Sequence, residues 1–188
     1  RDKKGIRPST GSELIGAVIH LFWKEDDAEI FIDTSGDSLA RHGYRKIPGL
    51  APMLESLAAA TIYATKWDRI SPFVNPMCGS GTVAIEAVMI ATNRRPGLFR
   101  TNYAFMHLQG YDEAVYLQED ALLEQQIIEV PGLRIIATDY DKKAIENAKK
   151  NAVAAGVANL IEFSVCDFAA TEIPPDVPGI FYVNPEYG

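Results

Sequence analysis

Early in the chain, apolar and β-branched residues gather in two short runs, Ile15–Trp23 and Glu29–Thr34, with the charged Lys24-Glu25-Asp26-Asp27 between them. That pattern predicts a β-hairpin. Asp33-Thr34-Ser35-Gly36 closes it in a turn, and a basic, irregular stretch runs from Ser38 to Gly49. Leu54, Leu57, Ala58, Thr61 and Ile62 then recur at helical spacing, predicting a helix over roughly Met53–Thr65. Ser71–Val74 is short and apolar, the expected first strand of a parallel sheet. Thr82–Thr92 is apolar nearly all round, as suits a helix buried against that sheet.

A long connection from Arg94 to Gly132 follows, rich in aromatics and with helical character near Glu113–Glu129. Leu133–Thr138 reads as a buried strand. Asp141–Ala155 places Ala144, Ile145, Ala148, Ala152 and Ala155 on one helical face, with Gly156 as the stop. Leu160–Val165 and Gly179–Val183 supply two more strands. This alternation predicts an α/β fold, a Rossmann-like doubly wound parallel sheet. The expected division is a linker and hairpin connector over 1–48 and a core over 49–188. There is no N-terminal Met and the sheet stops after its fourth parallel strand, so we expect a piece of a longer protein whose core is incomplete at its C-terminus.

The 188 residues are 47% apolar and 23% charged, ordinary for a globular protein. No run reaches the roughly 18–20 apolar residues that span a bilayer. The start, Arg1-Asp2-Lys3-Lys4-Gly5, lacks the apolar core of a signal peptide. Two cysteines, Cys78 and Cys166, come without a C-x-x-C motif or a histidine cluster, so reduced thiols, no metal and a cytoplasmic location are expected, with Cys166 ending a buried strand. A net charge of −7 argues against gripping nucleic acid by charge alone. Basic residues still cluster at Lys3, Lys4 and Arg7, at Arg41, His42, Arg45 and Lys46, and at Arg94, Arg95 and Arg100. Each cluster reads either as a phosphate contact or as solvated surface charge.

Two motifs carry chemistry. Asn75-Pro76-Met77-Cys78-Gly79-Ser80-Gly81-Thr82 is a Gly-rich turn between strand and helix. Its glycines let the backbone bend and approach a ligand, and the helix amides behind them favour an anionic group. A P-loop would need a Lys after the second Gly, and the dinucleotide fingerprint a third Gly; both are missing. The alternative is a purely structural turn. Asn184-Pro185-Glu186-Tyr187 is a degenerate Asn-Pro-Pro-Tyr motif, with which amino-methylating enzymes hold a target nitrogen; the alternative is a turn that ends a strand. Between them lie acids at strand ends. Asp139 is placed to accept from ribose hydroxyls, with Asp141 as helix cap. Asp167 is placed to accept from an adenine amine beside Phe168, or else simply caps a turn. Taken together these point to an S-adenosylmethionine-dependent methyltransferase.

The chain also resembles the THUMP-associated class I RNA methyltransferases, particularly the bacterial enzymes that methylate guanine N2 in large-subunit ribosomal RNA. The resemblance runs collinearly over about 15–188. It takes in Asp33-Thr34-Ser35-Gly36-Asp37-Ser38-Leu39, Arg41-His42-Gly43-Tyr44-Arg45, Ala51-Pro52-Met53-Leu54-Glu55, the Asn75–Thr82 turn, Arg95-Pro96-Gly97-Leu98 with Phe105, Asp139-Tyr140-Asp141, Asn147, Asn151 and the terminal motif. It implies S-adenosylmethionine as cofactor, held against Asn75, Cys78, Gly79, Gly81, Thr82, Asp139, Asp167 and Phe168. It also implies RNA, 23S ribosomal RNA in particular, as partner, met by Arg41 and Arg45, and catalysis by Asn184, Pro185 and Tyr187. Asn75 stands where the family has Asp, and Glu186 where it has a second Pro. Alternative readings are a catalytically degenerate RNA-binding module and a DNA adenine-N6 methyltransferase.

Overall fold

The computed structural model describes residues 16–49, 52–175 and 177–185. In chain order its elements are β1 (Ile19–Lys24), β2 (Asp27–Ile32), α1 (Glu55–Ala64), β3 (Phe73–Asn75), α2 (Thr82–Ala91), α3 (Glu113–Glu124), β4 (Ile135–Asp139), α4 (Lys142–Ala154), β5 (Ile161–Val165) and β6 (Ile180–Phe181). Two compact units emerge, one from the residues up to Leu39 with Arg100–Asp120, the other from Ala40–Phe99 with Ala121–Gly188.

In the first unit β1 and β2 pair antiparallel, Ile19 opposite Ile32 and Lys24 opposite Asp27, leaving Glu25-Asp26 as a two-residue turn. This is the expected hairpin. Asp33 then accepts the amides of Ser35 (2.8 Å) and Gly36 (3.1 Å), and these two donors hold its carboxyl below the usual carboxylate range. Tyr103, Phe105, Tyr111 and Tyr116 stack or tilt against one another, and the Phe105 amide donates to the Thr34 carbonyl at 2.9 Å.

The second unit is α/β and Rossmann-like. Its parallel sheet runs in the order β5-β4-β3-β6. From β3 the chain steps outward through β4 to β5, then returns to the other side of β3 as β6. In open α/β sheets a ligand crevice forms beyond the strand carboxyl ends where the order reverses, and here that point lies between β3 and β6. Every residue of α2 is buried, as suits a helix apolar nearly all round, with Glu86 the one charged residue among them. α4 is amphipathic and buries Ile145, Ala148, Asn151 and Ala152.

Three expectations change. Leu54 and Leu57 remain about half exposed, because α1 buries the narrower face of Ala58 and Ile62. β5 is largely exposed rather than buried, so Cys166 does not end a buried strand: among the described residues β5 lies at the sheet edge and pairs with β4 alone. The strand expected over Gly179–Val183 is pared to Ile180–Phe181, again with a single neighbour.

What fastens the second unit together is Asn151. It is completely buried, and all four hydrogen-bonding positions of its carboxamide are used. Oδ1 accepts the amides of Lys46 and Ile47 (both 3.0 Å), while Nδ2 donates to the carbonyls of Ile47 (2.8 Å) and Ser80 (3.0 Å). A second clasp lies on α2, where buried Glu86 accepts from Tyr44 Oη (2.8 Å) and contacts His42 Nδ1 (2.9 Å). The Asn151→Ala substitution leaves four backbone groups without this partner at once. It is expected to cost about 3 kcal/mol or more, measured by denaturant unfolding of the full chain. A loss below about 1 kcal/mol would mean that water replaces the carboxamide.

Candidate active site

The Gly-rich turn is built by a backbone that no ordinary strand-to-helix connection would adopt. Met77, Gly79 and Gly81 all have positive φ (55°, 54° and 83°). For Met77 that left-handed conformation costs about 1 kcal/mol, and the surrounding contacts hold it there. The Cys78 amide donates to the Thr138 carbonyl (2.9 Å), and the Gly81 amide closes the turn on the Cys78 carbonyl (2.9 Å). The two glycines serve different ends. A Cβ on Gly81 would lie 2.9 Å from the Ala148 Cβ, so this glycine lets α2 and α4 approach. A Cβ on Gly79 would meet nothing within 4 Å, because this glycine faces open space.

That space is a cleft of about 710 Å³ beyond the carboxyl ends of β3, β4 and β6, within the usual range for small-molecule sites. Asn75, Cys78, Gly79, Thr82, Asp139, Asp167, Phe168, Asn184 and Pro185 all line it. Gly81 does not. What its glycine identity serves is the contact with Ala148 of α4. Tyr187 and Glu186 lie outside the described residues.

Asp139 braces the turn: Oδ2 accepts the Gly79 amide (2.9 Å) and Oδ1 the Asp141 amide (3.0 Å). A carboxylate has about four acceptor positions, so it retains capacity for hydroxyl donors in the cleft. Asp141 caps α4 by accepting the Lys143 amide at 2.8 Å, as expected. Asp167 accepts the Ala169 amide at 2.9 Å, so it caps a single turn as well as standing on the cleft wall. Burial, then the charge of Asp139, pushes the Cys78 thiol well above its ordinary value, so it is no nucleophile at neutral pH.

Asn75 is more revealing than its sequence suggested. Its Nδ2 donates to the carbonyls of Tyr182 (3.1 Å) and Pro76 (3.4 Å). Both partners are acceptors, which fixes the amide's orientation. Oδ1 is then a buried acceptor with no hydrogen-bond partner among the described residues, on a residue that lines the cleft. Such an atom costs free energy until a donor reaches it. An amino acid ammonium would supply one, and Asp139 and Asp167 offer acceptors to a nucleoside, so the residues present suit a nucleoside that carries an amino acid, such as S-adenosylmethionine.

The two basic residues part company. Arg41 is exposed. Arg45 is turned inward: its Nη2 donates to the Met53 carbonyl and to Thr82 Oγ1 (2.9 Å), and it pairs with buried Glu55 at 3.6 Å. The guanidinium thus ties α1 to the first residue of α2, a place for which an RNA phosphate contact was expected. Sequence reasoning passed over Met53, Tyr140, Lys143 and Asn147 as cleft residues. The last three were within reach of inference, since Tyr140 adjoins Asp139, and Lys143 and Asn147 share one face of α4. Among the described residues no group of His, Cys, Asp or Glu could hold a metal ion, and no helix is long and apolar enough to cross a membrane.

Comparison with known proteins gives this geometry a setting. Residues 42–188 match the family model for the RMKL-like methyltransferase domain. Among solved structures, SMU.472, described as a methyltransferase and crystallised with SAH, is 34% identical over 92% of this chain and 44% of its own, with a TM-score of 0.82. A methylase candidate from Clostridium difficile 630 is 36% identical over 92% of this chain and 45% of its own, with a TM-score of 0.81. A predicted N6-adenine-specific DNA methylase from Listeria monocytogenes is 34% identical over 82% of this chain and 40% of its own, with a TM-score of 0.73. The chain therefore spans less than half the length of each of these structures.

The two glycines are separable by experiment. Gly81→Ala is expected to destabilise the chain by about 2–4 kcal/mol through backbone strain and the Ala148 clash. Gly79→Ala should cost only about 1–2 kcal/mol of stability yet weaken binding of a cleft ligand. Thermal unfolding with and without S-adenosylhomocysteine checks both; equal stability losses would contradict the division of labour.

Proposed function

The chain belongs to the RMKL-like methyltransferase domain family, and on that premise we propose that it transfers a methyl group from S-adenosylmethionine to an exocyclic amino group of a nucleobase in RNA, specifically guanine N2 of 23S ribosomal RNA. The observation that carries the reading is that Asn184 and Pro185 line the same cleft as Gly79 and Asp139. Two motifs far apart in sequence meet across the reversal in strand order.

S-adenosylmethionine, when bound, supplies an electrophilic methyl group on a sulfonium. Asn75 Oδ1 receives the ammonium end, Gly79 gives the backbone room for it, and Asp139 and Asp167 accept from the nucleoside, with Phe168 beside its ring. Asn184 Oδ1 and the Pro185 carbonyl accept the two protons of the target amine and so turn its lone pair into the cleft. Tyr187 stacks on the base, which must leave its helix or arrive single-stranded. The rate gain is one of positioning: the nitrogen loses its proton after methylation, so no side chain of tuned basicity is needed. Exposed Arg41 offers an RNA phosphate contact, and Arg45 holds the cleft wall instead. The linker and hairpin connector over 1–48 precede the methyltransferase core over 49–188.

Support for RNA and for guanine N2 comes from the collinear motif series, from Asp33 through Arg41-His42-Gly43-Tyr44-Arg45 to the terminal motif. A second reading has a specific ground: the Listeria relative is described as an N6-adenine DNA methylase, and adenine N6 is also an exocyclic amine that the same two acceptors would hold. Labelled donor, undermodified ribosomal RNA and DNA, and mass-spectrometric mapping of the product base decide between them. Asn184→Ala is expected to lower transfer by at least about 100-fold, on the scale set by positioning, with cofactor binding retained. Equal turnover by that variant would remove Asn184 from the mechanism. No transfer by the wild type to either nucleic acid would favour the degenerate module that Glu186 suggests.

A further inference from the structure

We propose that a second cavity, at the opposite end of α2 from the Gly-rich turn, binds a phosphate group through Arg94. The cavity measures about 270 Å³ and is walled by His42, Tyr63, Glu86, Met89, Arg94 and Arg95 among others. At about 1.5 Å of rise per residue, Asn93 lies roughly 16 Å along the helical run from Thr82 at the cleft, and the two linings share no residue. It is therefore a separate site.

Arg94 is set in place by the end of α2. Asn93 takes a left-handed φ of 55°, its Nδ2 donates to the Gln126 carbonyl (3.0 Å), and the Arg94 amide turns back to the Met89 carbonyl (2.8 Å). The Arg94 Nε is buried and has no hydrogen-bond partner among the described residues. A buried guanidinium donor without an acceptor is costly, and an oxyanion removes that cost with charge-assisted hydrogen bonds. The one carboxylate on the described wall, Glu86, is already engaged by Tyr44 and His42. A helix end alone would explain cations nearby, but not a donor sealed off without an acceptor.

The size of the cavity selects the ligand. Its volume is just under the roughly 300 Å³ at which drug-sized sites begin, so it admits one phosphate and a small attached group against Tyr63 and Met89. The phosphate is either a phosphodiester of RNA or that of a small phosphorylated compound. Only the RNA source rests on the function proposed above.

The test titrates the full chain, wild type and Arg94→Gln, with inorganic phosphate by NMR and with a short single-stranded RNA by fluorescence anisotropy. S-adenosylmethionine affinity serves as the check on folding. Phosphate is expected to shift the His42 ring resonances saturably in the wild type. Arg94→Gln should weaken that binding about tenfold or more and leave cofactor affinity unchanged. Arg94→Lys, which keeps charge but loses the Nε donor, should fall between. A parallel tenfold loss for RNA identifies a phosphodiester; loss for phosphate alone identifies a small phosphorylated ligand. Absence of saturable phosphate binding, or equal affinities for both probes in wild type and Arg94→Gln, overturns the proposal. Failure of the wild type to bind cofactor would count against the proposed function and leave the phosphate result standing.

Discussion

The four hydrogen bonds of one buried carboxamide hold this unit in working shape. Asn151 reaches from α4 to Lys46 and Ile47 on one side and to Ser80 of the Gly-rich turn on the other. Three segments distant in sequence are fixed relative to one another by a group that neither titrates nor carries charge. A buried amide with all positions filled is specific because any displacement leaves some partner without one. Asp139 extends the same logic, holding the Gly79 amide and the start of α4 with opposite oxygens of one carboxylate. The strained φ at Met77 persists because these clasps over-determine the turn.

The chemistry inherits that rigidity. The buried thiol of Cys78 is pushed away from reactivity by its burial and by Asp139. What the cleft offers is placement: an unmet acceptor on Asn75, open space at Gly79, carboxylates at two strand ends and Asn184-Pro185 across the reversal in strand order. Methyl transfer between a sulfonium and an amine asks for little else, because both reactants carry their own reactivity. The inward turn of Arg45 belongs to the same pattern: its charge is spent on anchoring α1 to the start of α2.

Much of this was legible in the sequence, for local reasons. The apolar run of α2, the Asp141 cap and the hairpin with its charged turn are written within a few residues of where they act. The terminal Asn-Pro pair was expected at the crevice because alternating strands and helices bring the carboxyl ends of parallel strands to one edge of the sheet. Other features depend on partners far along the chain, and no local pattern carries them. The clash that explains Gly81 is with Ala148; the orphaned oxygen of Asn75 depends on the Tyr182 carbonyl; the exposure of β5 depends on its having one neighbour. Arg45 looked like its basic neighbours because sequence shows the charge and not its direction.

The central claim is that the cleft holds S-adenosylmethionine by its ammonium at Asn75 and its nucleoside at Asp139. Isothermal titration of the full chain with S-adenosylmethionine and with its deaminated analogue tests this most directly. The account predicts saturable one-to-one binding, about tenfold or more weaker for the analogue, which lacks the donor that Asn75 Oδ1 awaits. Equal affinity for the two, or no binding of either, would contradict it.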